Sequence, residues 1–398
     1  MYKSVLSSFW CPLGFRVNRI GLQPHRMPAT SKEAVQTFVL FIVVSALSYY
    51  LWDNIQLTQT RQVFVHPLPY QLLAANFTGN KTFIILDYVA YTIKGNEDYY
   101  IGNCLVTQNK ALVDKAHAVV FATRKLRSKS AMPKVRHQWQ RWVWLLDESP
   151  YHPVDGQPFK LTDFNYVYNW TMTYSSDSDV YCPYGWTKRK EEPEAEIPDL
   201  GKRDGLIAAV ISNCGSAYVH NHRFEYLKEL NNTAKVTLYG RCGKACKGYE
   251  NGQQGSPCPE IKNHLFYLSF ENSNCKEYIS EKFYGNAISM GAVPIVMGAR
   301  KEDYARVGPP NSFIHVKDFA SPKHLGDYIN SLSKNRTAYM KYHEWRKEYE
   351  VDYRVQFISR KVWPPLCDKL NADKGEVNVV RSLADFWKLS DCDGTKFW

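Results

Sequence analysis

The run from Val35 to Trp52, VQTFVLFIVVSALSYYLW, is mainly apolar, with no charged residue and with aromatics gathered toward its end, as at a membrane interface. It is just long enough to span a bilayer. A run of this length also suits a buried core helix or a cleaved signal peptide. Its place near the N-terminus, after Arg16, Arg19, Arg26 and Lys32, favours a transmembrane signal anchor over a core helix. The long preceding tail, and the lack of a small-residue cleavage site after Trp52, argue against a signal peptide. Residues 1–34 then form a cytosolic tail, 35–52 the anchor and 53–80 a stem, with everything after Asp53 expected in a lumen.

Beyond the stem the apolar runs become short. Thr82 to Asp87, Ala118 to Ala122 and Trp142 to Leu146 read as buried strands of a first α/β unit. Lys188 to Asp199, KRKEEPEAEIPD, is charged, proline-containing and poor in apolar residues, so the domain boundary is placed there, with 191–200 as linker. After it come a strand at Gly205 to Ser212, a helical stretch at His222 to Leu230 and a strand at Lys235 to Tyr239. A second βαβ unit follows. HLFYLSF is its strand, Ile279, Phe283, Ala287 and Met290 mark one helix face, Gly291 is the stop, and AVPIVMG is the next strand. A short strand at Phe313 to Val316 and a helix from Pro322 to Leu332 complete the pattern. Repeated βαβ units imply an α/β fold with parallel sheets. The two domains are drawn at 81–190 and 201–360, with 361–398 as a C-terminal extension.

Composition adds constraints. The 398 residues suffice for two domains and a tether. Lys and Arg outnumber Asp and Glu by 50 to 39, favouring an anionic partner such as a phosphate, an acidic glycan or a membrane surface. Nucleic acid is not expected, because no basic block is interleaved with base-stacking aromatics. The densest basic stretch, Arg124 to Arg141, reads as a solvated loop and helix face. Five sequons, at Asn76, Asn80, Asn169, Asn231 and Asn335, are N-glycan acceptors by pattern. All but one of the 10 cysteines lie beyond the apolar run, which suits an oxidising lumen and several disulfides with one thiol left over. Cys242, Cys246, Cys258 and Cys275 could alternatively hold zinc, but their spacing is not that of a standard finger.

Ligands of open α/β sheets collect beyond the carboxyl ends of the strands. After Gly205 to Ser212 comes Asn213-Cys-Gly-Ser, and Arg223 opens the following helix. After HLFYLSF come Glu271 and Asn272, with Tyr278, Glu281 and Lys282 in the early turns of the next helix. Two cations and two helix N-termini facing one cleft would hold a diphosphate, with Glu271 and Asn272 available to sugar or ribose hydroxyls. Spacing alone leaves another reading open, in which Arg223 and Lys282 are surface cations and Lys282 pairs with a carboxylate one turn away.

The segment FYLSFENSNCKEYISEKFYGNAISMGAVPIVMGARKEDYARVGPPNSFIHVKDF resembles the signature of the α1,3-fucosyltransferases of glycosyltransferase family 10. The likeness continues through SPKHLGDYINSL and YHEWR, and upstream RWVWLLDESPYH resembles the family's acceptor-domain motif, so it covers most of the chain from Arg141 to Arg346. FENSNC, VMGA and the Cys242–Cys246 region look most like the invertebrate and plant members that modify the N-glycan core. The resemblance implies two Rossmann-like domains facing each other across a cleft (the GT-B arrangement), a Golgi type II membrane protein, GDP-fucose as donor and a glycoprotein N-glycan as acceptor. It casts Arg223 as the diphosphate arginine, Glu271, Asn272, Tyr278, Glu281 and Lys282 as donor-binding residues, and Glu148 as the catalytic base. Glu148 also ends a strand of the first domain, although a capping or surface-paired carboxylate would look the same in sequence.

The implied chemistry is one inverting displacement at the fucose anomeric carbon, with Glu148 taking the proton of the acceptor hydroxyl. Arg223 and Lys282 would stabilise the departing GDP, so no metal is required, Mn or Mg being at most stimulatory. Asp177-Ser-Asp179 matches the metal motif of the other large glycosyltransferase fold, but YSSDSDVYCPYG resembles the segment ending this family's acceptor domain. The family often has basic residues where Ser175 and Ser176 stand. Three functions follow from the sequence: transfer of fucose to O3 of N-acetylglucosamine, at the N-glycan core or on outer-arm N-acetyllactosamine and its N-acetylgalactosamine analogue; glycan binding without catalysis; and transfer from another nucleotide sugar.

Overall fold

Seven strands build the first sheet: β1 (Phe83–Asp87), β2 (Tyr99–Ile101), β3 (Cys104–Thr107), β4 (Ala118–Ala122), β5 (Arg141–Leu146), β6 (Trp170–Thr173) and β7 (Val180–Tyr181). Their spatial order is β2-β3-β1-β4-β5-β6-β7. Only the β2–β3 pair is antiparallel. The computed structural model describes residues 81–398 except 90–97, 127, 155, 157–158, 216–219, 248–257, 354–359, 377 and 397. These residues belong to one compact unit. The expected anchor at 35–52 and the sequons at Asn76 and Asn80 lie outside them. Among the described residues, no helix is long and apolar enough to cross a membrane.

The strand β8 (Gly185–Arg189) leads into the second sheet, made of β9 (Gly205–Val210), β10 (Val236–Tyr239), β11 (His264–Phe270), β12 (Val293–Met297) and β13 (Ile314–His315). This sheet is parallel throughout, in the order β10-β9-β11-β12-β13. Later, β14 (Tyr349–Tyr353) returns to pair antiparallel with β8. Lys188 and Arg189 therefore belong to a strand, opposite Glu350 and Tyr349, and not to the linker expected from their charge. Cross-strand pairing of Lys188 with Glu350, at 2.5 Å, accounts for the charged composition there.

Period-two alternation places the core on both faces of the first sheet. Ala118, Val120, Val143 and Leu145 join one apolar cluster, while Val119, Phe121, Trp142, Trp144 and Leu146 join the other. Among the described residues, β3, β4 and β5 are linked by 3-10 turns and loops and not by α-helices. Helical cover arrives from the far end of the chain. Helix Pro364–Ala372 contributes Leu366 and Leu370 to the same apolar cluster as Ile85, Val106 and Val143, and Cys367 is bonded to Cys104. The C-terminal extension is thus part of the first sheet's core. The other cluster joins the two sheets, since Trp144 and Tyr174 share it with Tyr278, Ile279, Phe283 and Tyr284.

Among the described residues four disulfides form: Cys104–Cys367, Cys214–Cys242, Cys246–Cys258 and Cys275–Cys392. Cys182 is buried as a thiol. The cysteines weighed for zinc are thus consumed in three separate bonds, two of them to cysteines outside that set.

Two surprises concern side chains. The stretch Arg124 to Arg141 is only in part a solvated face: Lys125, Lys129 and Lys134 are exposed, but Arg141 is 2% exposed beside Asp373, and Arg136 donates to the Val167 carbonyl at 2.7 Å and to Asn169. Asn169 is the second. It is buried, its Nδ2 donates to the Asn378 carbonyl at 2.8 Å, and its Oδ1 accepts from Trp142 N at 2.8 Å, so the expected glycan acceptor there is a structural amide. Asn231 and Asn335 are exposed. Glycopeptide mapping of secreted-pathway material should find sugar at Asn231 and Asn335 and none at Asn169; an occupied Asn169 would contradict this packing.

His343 gives the fold an acid-sensitive point. It is 1% exposed, and its Nδ1 accepts from Arg346 Nε at 3.3 Å. Burial first, then Arg346 and Arg203, pull its pKa from 6.5 down to about 3. A base with a depressed folded pKa stabilises the fold while neutral. That stability is present above pH 6.5 and is lost as pH falls from there toward 3. The slope is up to about 1.4 kcal/mol per pH unit. His343→Gln should flatten the acid limb of a Tm-against-pH profile relative to the parent; an identical limb would assign that loss to other groups.

Candidate active site

Each parallel sheet reverses its strand order beside its first strand, and such switch points open a crevice beyond the strands' carboxyl ends. In the second sheet the switch lies between β9 and β11, where Asn213, Glu271 and Asn272 leave the strands. In the first it lies between β1 and β4, with Arg124 just past β4 and Asp147-Glu148 past the neighbouring β5. Residues from both sets of strand ends touch one another. Glu148 Oε2 accepts from Tyr278 Oη at 2.9 Å and from Asn272 Nδ2 at 3.3 Å, and Ser149 Oγ meets Ser273 Oγ at 2.8 Å.

The loop after β11 is held from several sides. The Asn221 Nδ2 group donates to Glu271 O and to Asn274 Oδ1, both at 2.9 Å, and His220 N donates to Asn272 O at 2.9 Å. Cys275–Cys392 ties it to the C-terminal tail. Two left-handed residues set its geometry: Glu277 (φ 58°) directly before Tyr278, and His222 (φ 55°) directly before Arg223. The cost at Glu277 is offset by its partners, since its buried carboxylate accepts from Ser175 Oγ at 3.2 Å, from Ser176 N at 2.8 Å and from Arg306. Ser175 and Ser176 thus shape the loop from the first sheet's side.

The helix expected across Ile279 to Met290 is instead a seven-residue π-helix, Lys282–Ile288, closed by Gly291 at φ 70°. Such i→i+5 turns are rare and concentrate at functional sites. Ser289 N donates to Tyr284 O, and Ala292 N to Ala287 O. Tyr278 therefore precedes the helix, Glu281 caps it and Lys282 is its first residue.

Glu271 has no solvent exposure. It accepts from Ser280 N and Oγ at 2.8 Å and from Lys282 Nζ at 2.9 Å, so its oxygens are engaged within the protein and not presented to a sugar. Burial raises its pKa, and Lys282 opposes that rise. Lys282 Nζ also reaches Ser280 Oγ at 2.9 Å and Glu281 Oε1 at 3.2 Å, which uses all three ammonium hydrogens. Burial lowers the Lys282 pKa, and Glu271 and Glu281 raise it by more, leaving it above its ordinary value. Burial raises the Glu281 pKa, and Lys282 with hydrogen bonds brings it below the ordinary value. The carboxylates that Lys282 meets are the loop residue Glu271 and the adjacent Glu281, and not one a helical turn away.

Arg223 is the less committed cation. It is 3% exposed and donates to the carbonyls of Phe270 and Asn213 only at 3.3 Å, and its buried Nε has no partner among the described residues. Burial lowers its pKa, with Glu271 and Tyr278 acting in the other direction, yet a guanidinium stays charged. Tyr278 is buried, and its phenol pKa is raised by burial first and then by Glu148. Arg124 Nη1 lies 3.4 Å from Glu148 Oε1. Sequence reading overlooked this residue, although the strand-end rule applied to β4 would have found it. Of Asp177 and Asp179, the first pairs with Lys276 at 2.8 Å and the second accepts from Thr171 N at 2.8 Å, so each carboxylate of that motif has its own protein partner.

Both halves of the chain match known sequence families. Residues 200–387 match the model for glycosyltransferase family 10 (fucosyltransferase), C-terminal part, and residues 76–185 match that for the fucosyltransferase N-terminal part. Human 4-galactosyl-N-acetylglucosaminide 3-alpha-L-fucosyltransferase FUT6 is 35% identical over 249 residues, which are 62% of this chain and 66% of that protein. Bovine alpha-(1,3)-fucosyltransferase 7 is 35% identical over 273 residues, 66% of this chain and 73% of that one. This chain therefore spans just under two thirds of the human relative. A crystal structure of an alpha1,3-fucosyltransferase with GDP-fucose aligns with a TM-score of 0.44 at 16% identity, covering 77% of this chain and 96% of that chain, a likeness too loose to carry an argument. Two matched segments that together take in Glu148, Arg223 and the whole Glu271 to Lys282 loop place this chain in glycosyltransferase family 10, the fucosyltransferases.

Proposed function

We propose that the protein transfers L-fucose from GDP-β-L-fucose to O3 of N-acetylglucosamine in glycoprotein N-glycans, by direct inverting displacement with Glu148 as general base. The observation that carries this reading is the meeting of the Glu148 carboxylate with Asn272 and Tyr278, which puts a proton acceptor from the first sheet against the loop assigned to the donor. In the reaction the acceptor O3 attacks the anomeric carbon, the C–O bond to the β-phosphate breaks, and the hydroxyl proton passes to Glu148. The Tyr278 and Asn272 donors orient that carboxylate, while Arg223, with weak backbone contacts to exchange, meets the diphosphate. Lys282 would join it by giving up Glu281, its longest contact. The two sheets act as two Rossmann-like domains of a GT-B enzyme, anchored by residues 35–52 with the catalytic part in the Golgi lumen. No metal is needed in this scheme.

Core N-acetylglucosamine is the first acceptor in this reading, on the wording of the FENSNC segment. A second acceptor, 4-galactosyl-N-acetylglucosamine, is supported by the name of the human relative. Incubation with GDP-fucose and a panel carrying both acceptors, with and without chelator, tests all of it. Fucosylated product that persists in chelator is expected. GDP-fucose left unconsumed with every acceptor would refute the transferase, and complete loss in chelator would refute metal independence.

A further inference from the structure

A cavity of 340 Å³ opens at the amino-terminal edge of the first sheet, where β1 and β5 begin and His117 leads into β4. Lys81, His117, Trp139, Arg141 and Asp373 are among its lining residues. Arg141 and Glu148 stand at opposite ends of β5, seven residues of extended chain apart, or roughly 20 Å at the rise of a strand. The cavity is therefore separate from the Glu148 site, and nothing about it rests on the transferase reading.

We propose that this cavity is a second carbohydrate site, specific for an acidic sugar whose carboxylate or sulfate is held by Arg141 and Lys81 and whose ring lies on Trp139. Arg141 is 2% exposed, and Asp373 Oδ2 lies 2.7 Å from its Nε, yet its buried Nη1 has no hydrogen-bond partner among the described residues. A buried donor left unpaired is costly. Lys81 brings a second cation, its ammonium 4.8 Å from the Phe83 ring centroid, so two positive groups face one carboxylate. That balance selects an anion.

Trp139 supplies the platform. It is 48% exposed, and the ring of His137 lies parallel to it at 5.5 Å, which fixes its plane. A flat aromatic face open to solvent suits the apolar face of a pyranose ring, with polar groups at its margin for the hydroxyls. His117 adds such a group. Its Nδ1 accepts from Ile84 N at 3.1 Å, which leaves Nε2 as the protonated nitrogen. Burial first, and Lys81 second, keep that imidazole's pKa below its ordinary value, so it offers a neutral donor beside the charged ones.

Saturation-transfer NMR on the full chain, with glucuronic acid and N-acetylneuraminic acid as probes, tests this directly. Glucose and N-acetylglucosamine serve as neutral controls, inorganic sulfate as a competitor and excess GDP as an occupant of the other site. Both acids should bind, or at least one should, tenfold more tightly than the neutral sugars and without displacement by GDP. Trp139→Ala and Lys81→Gln should each weaken binding at least fivefold while leaving Tm unchanged. Lack of signal from both acids, equal binding of neutral sugars, displacement by GDP, or undiminished binding in Trp139→Ala would each overturn the assignment. Sulfate that competes as tightly as the sugars bind would reduce the site to an anion pocket and overturn its carbohydrate character.

Discussion

Glu148→Gln is expected to lower kcat for fucose transfer by about a thousandfold, the middle of the range for a general base, while GDP affinity changes by no more than about threefold. The substitution preserves shape and one acceptor oxygen, so Tyr278 and Asn272 can still donate, but the group can no longer take a proton. It also removes the partner of Arg124, which lies 3.4 Å away and retains Asp147 nearby at 3.9 Å. A matched Tm would show that the loss is chemical and not structural. Turnover within tenfold of the parent would move the base to another residue.

Lys282→Met should act mainly on the fold. Glu271 is wholly buried and owes its tolerance of that position to Lys282 and Ser280. Removing one partner of a buried pair leaves an uncompensated charge, typically a loss of about 3–5 kcal/mol. For a chain of this size that corresponds to a drop on the order of 10 °C in Tm without any ligand. Adding Glu271→Gln should restore much of the loss, because the stranded charge is then gone. A donor-contact role alone predicts the opposite pattern: weaker GDP binding in Lys282→Met, an unchanged ligand-free Tm and no rescue. Calorimetry of the two single variants and the double variant separates these outcomes.

Much of the second sheet was legible because its strands are continuous apolar runs buried on both faces. HLFYLSF is β11 residue for residue, AVPIVMG contains β12, and Gly291 stops its helix through a positive φ that glycine adopts without strain. The first sheet was only half legible. β4 stood out because all five residues are buried, whereas β2, β3, β6 and β7 are short, and sequence spacing does not announce them. The π-helix was read as an ordinary helix because Phe283 and Ala287 suit either period over two turns.

Candidate site residues were legible as types at strand ends, but their partners were not. Glu271 was read as a group for sugar hydroxyls, yet Ser280 and Lys282 take up its oxygens, and Asn169 carried a sequon that packing against Arg136 and Asn378 makes inaccessible. Local pattern reports which side chains an element can present; it carries no record of which distant segment fills the space opposite.

The sequence by itself determined the strand-end positions of Glu148 and Glu271 and the helix-start position of Arg223, since burial periodicity and chain direction follow from neighbours within a few residues. Only the tertiary structure decided that Glu148 meets Asn272 and Tyr278, that Arg124 stands beside it, and that helix Pro364–Ala372 returns to cover the first sheet. Those contacts join residues more than a hundred positions apart in all but the Arg124 pair. They are fixed by the shared apolar cluster and by Cys104–Cys367, where the free energy of burying both surfaces, and not any local preference, selects the partner.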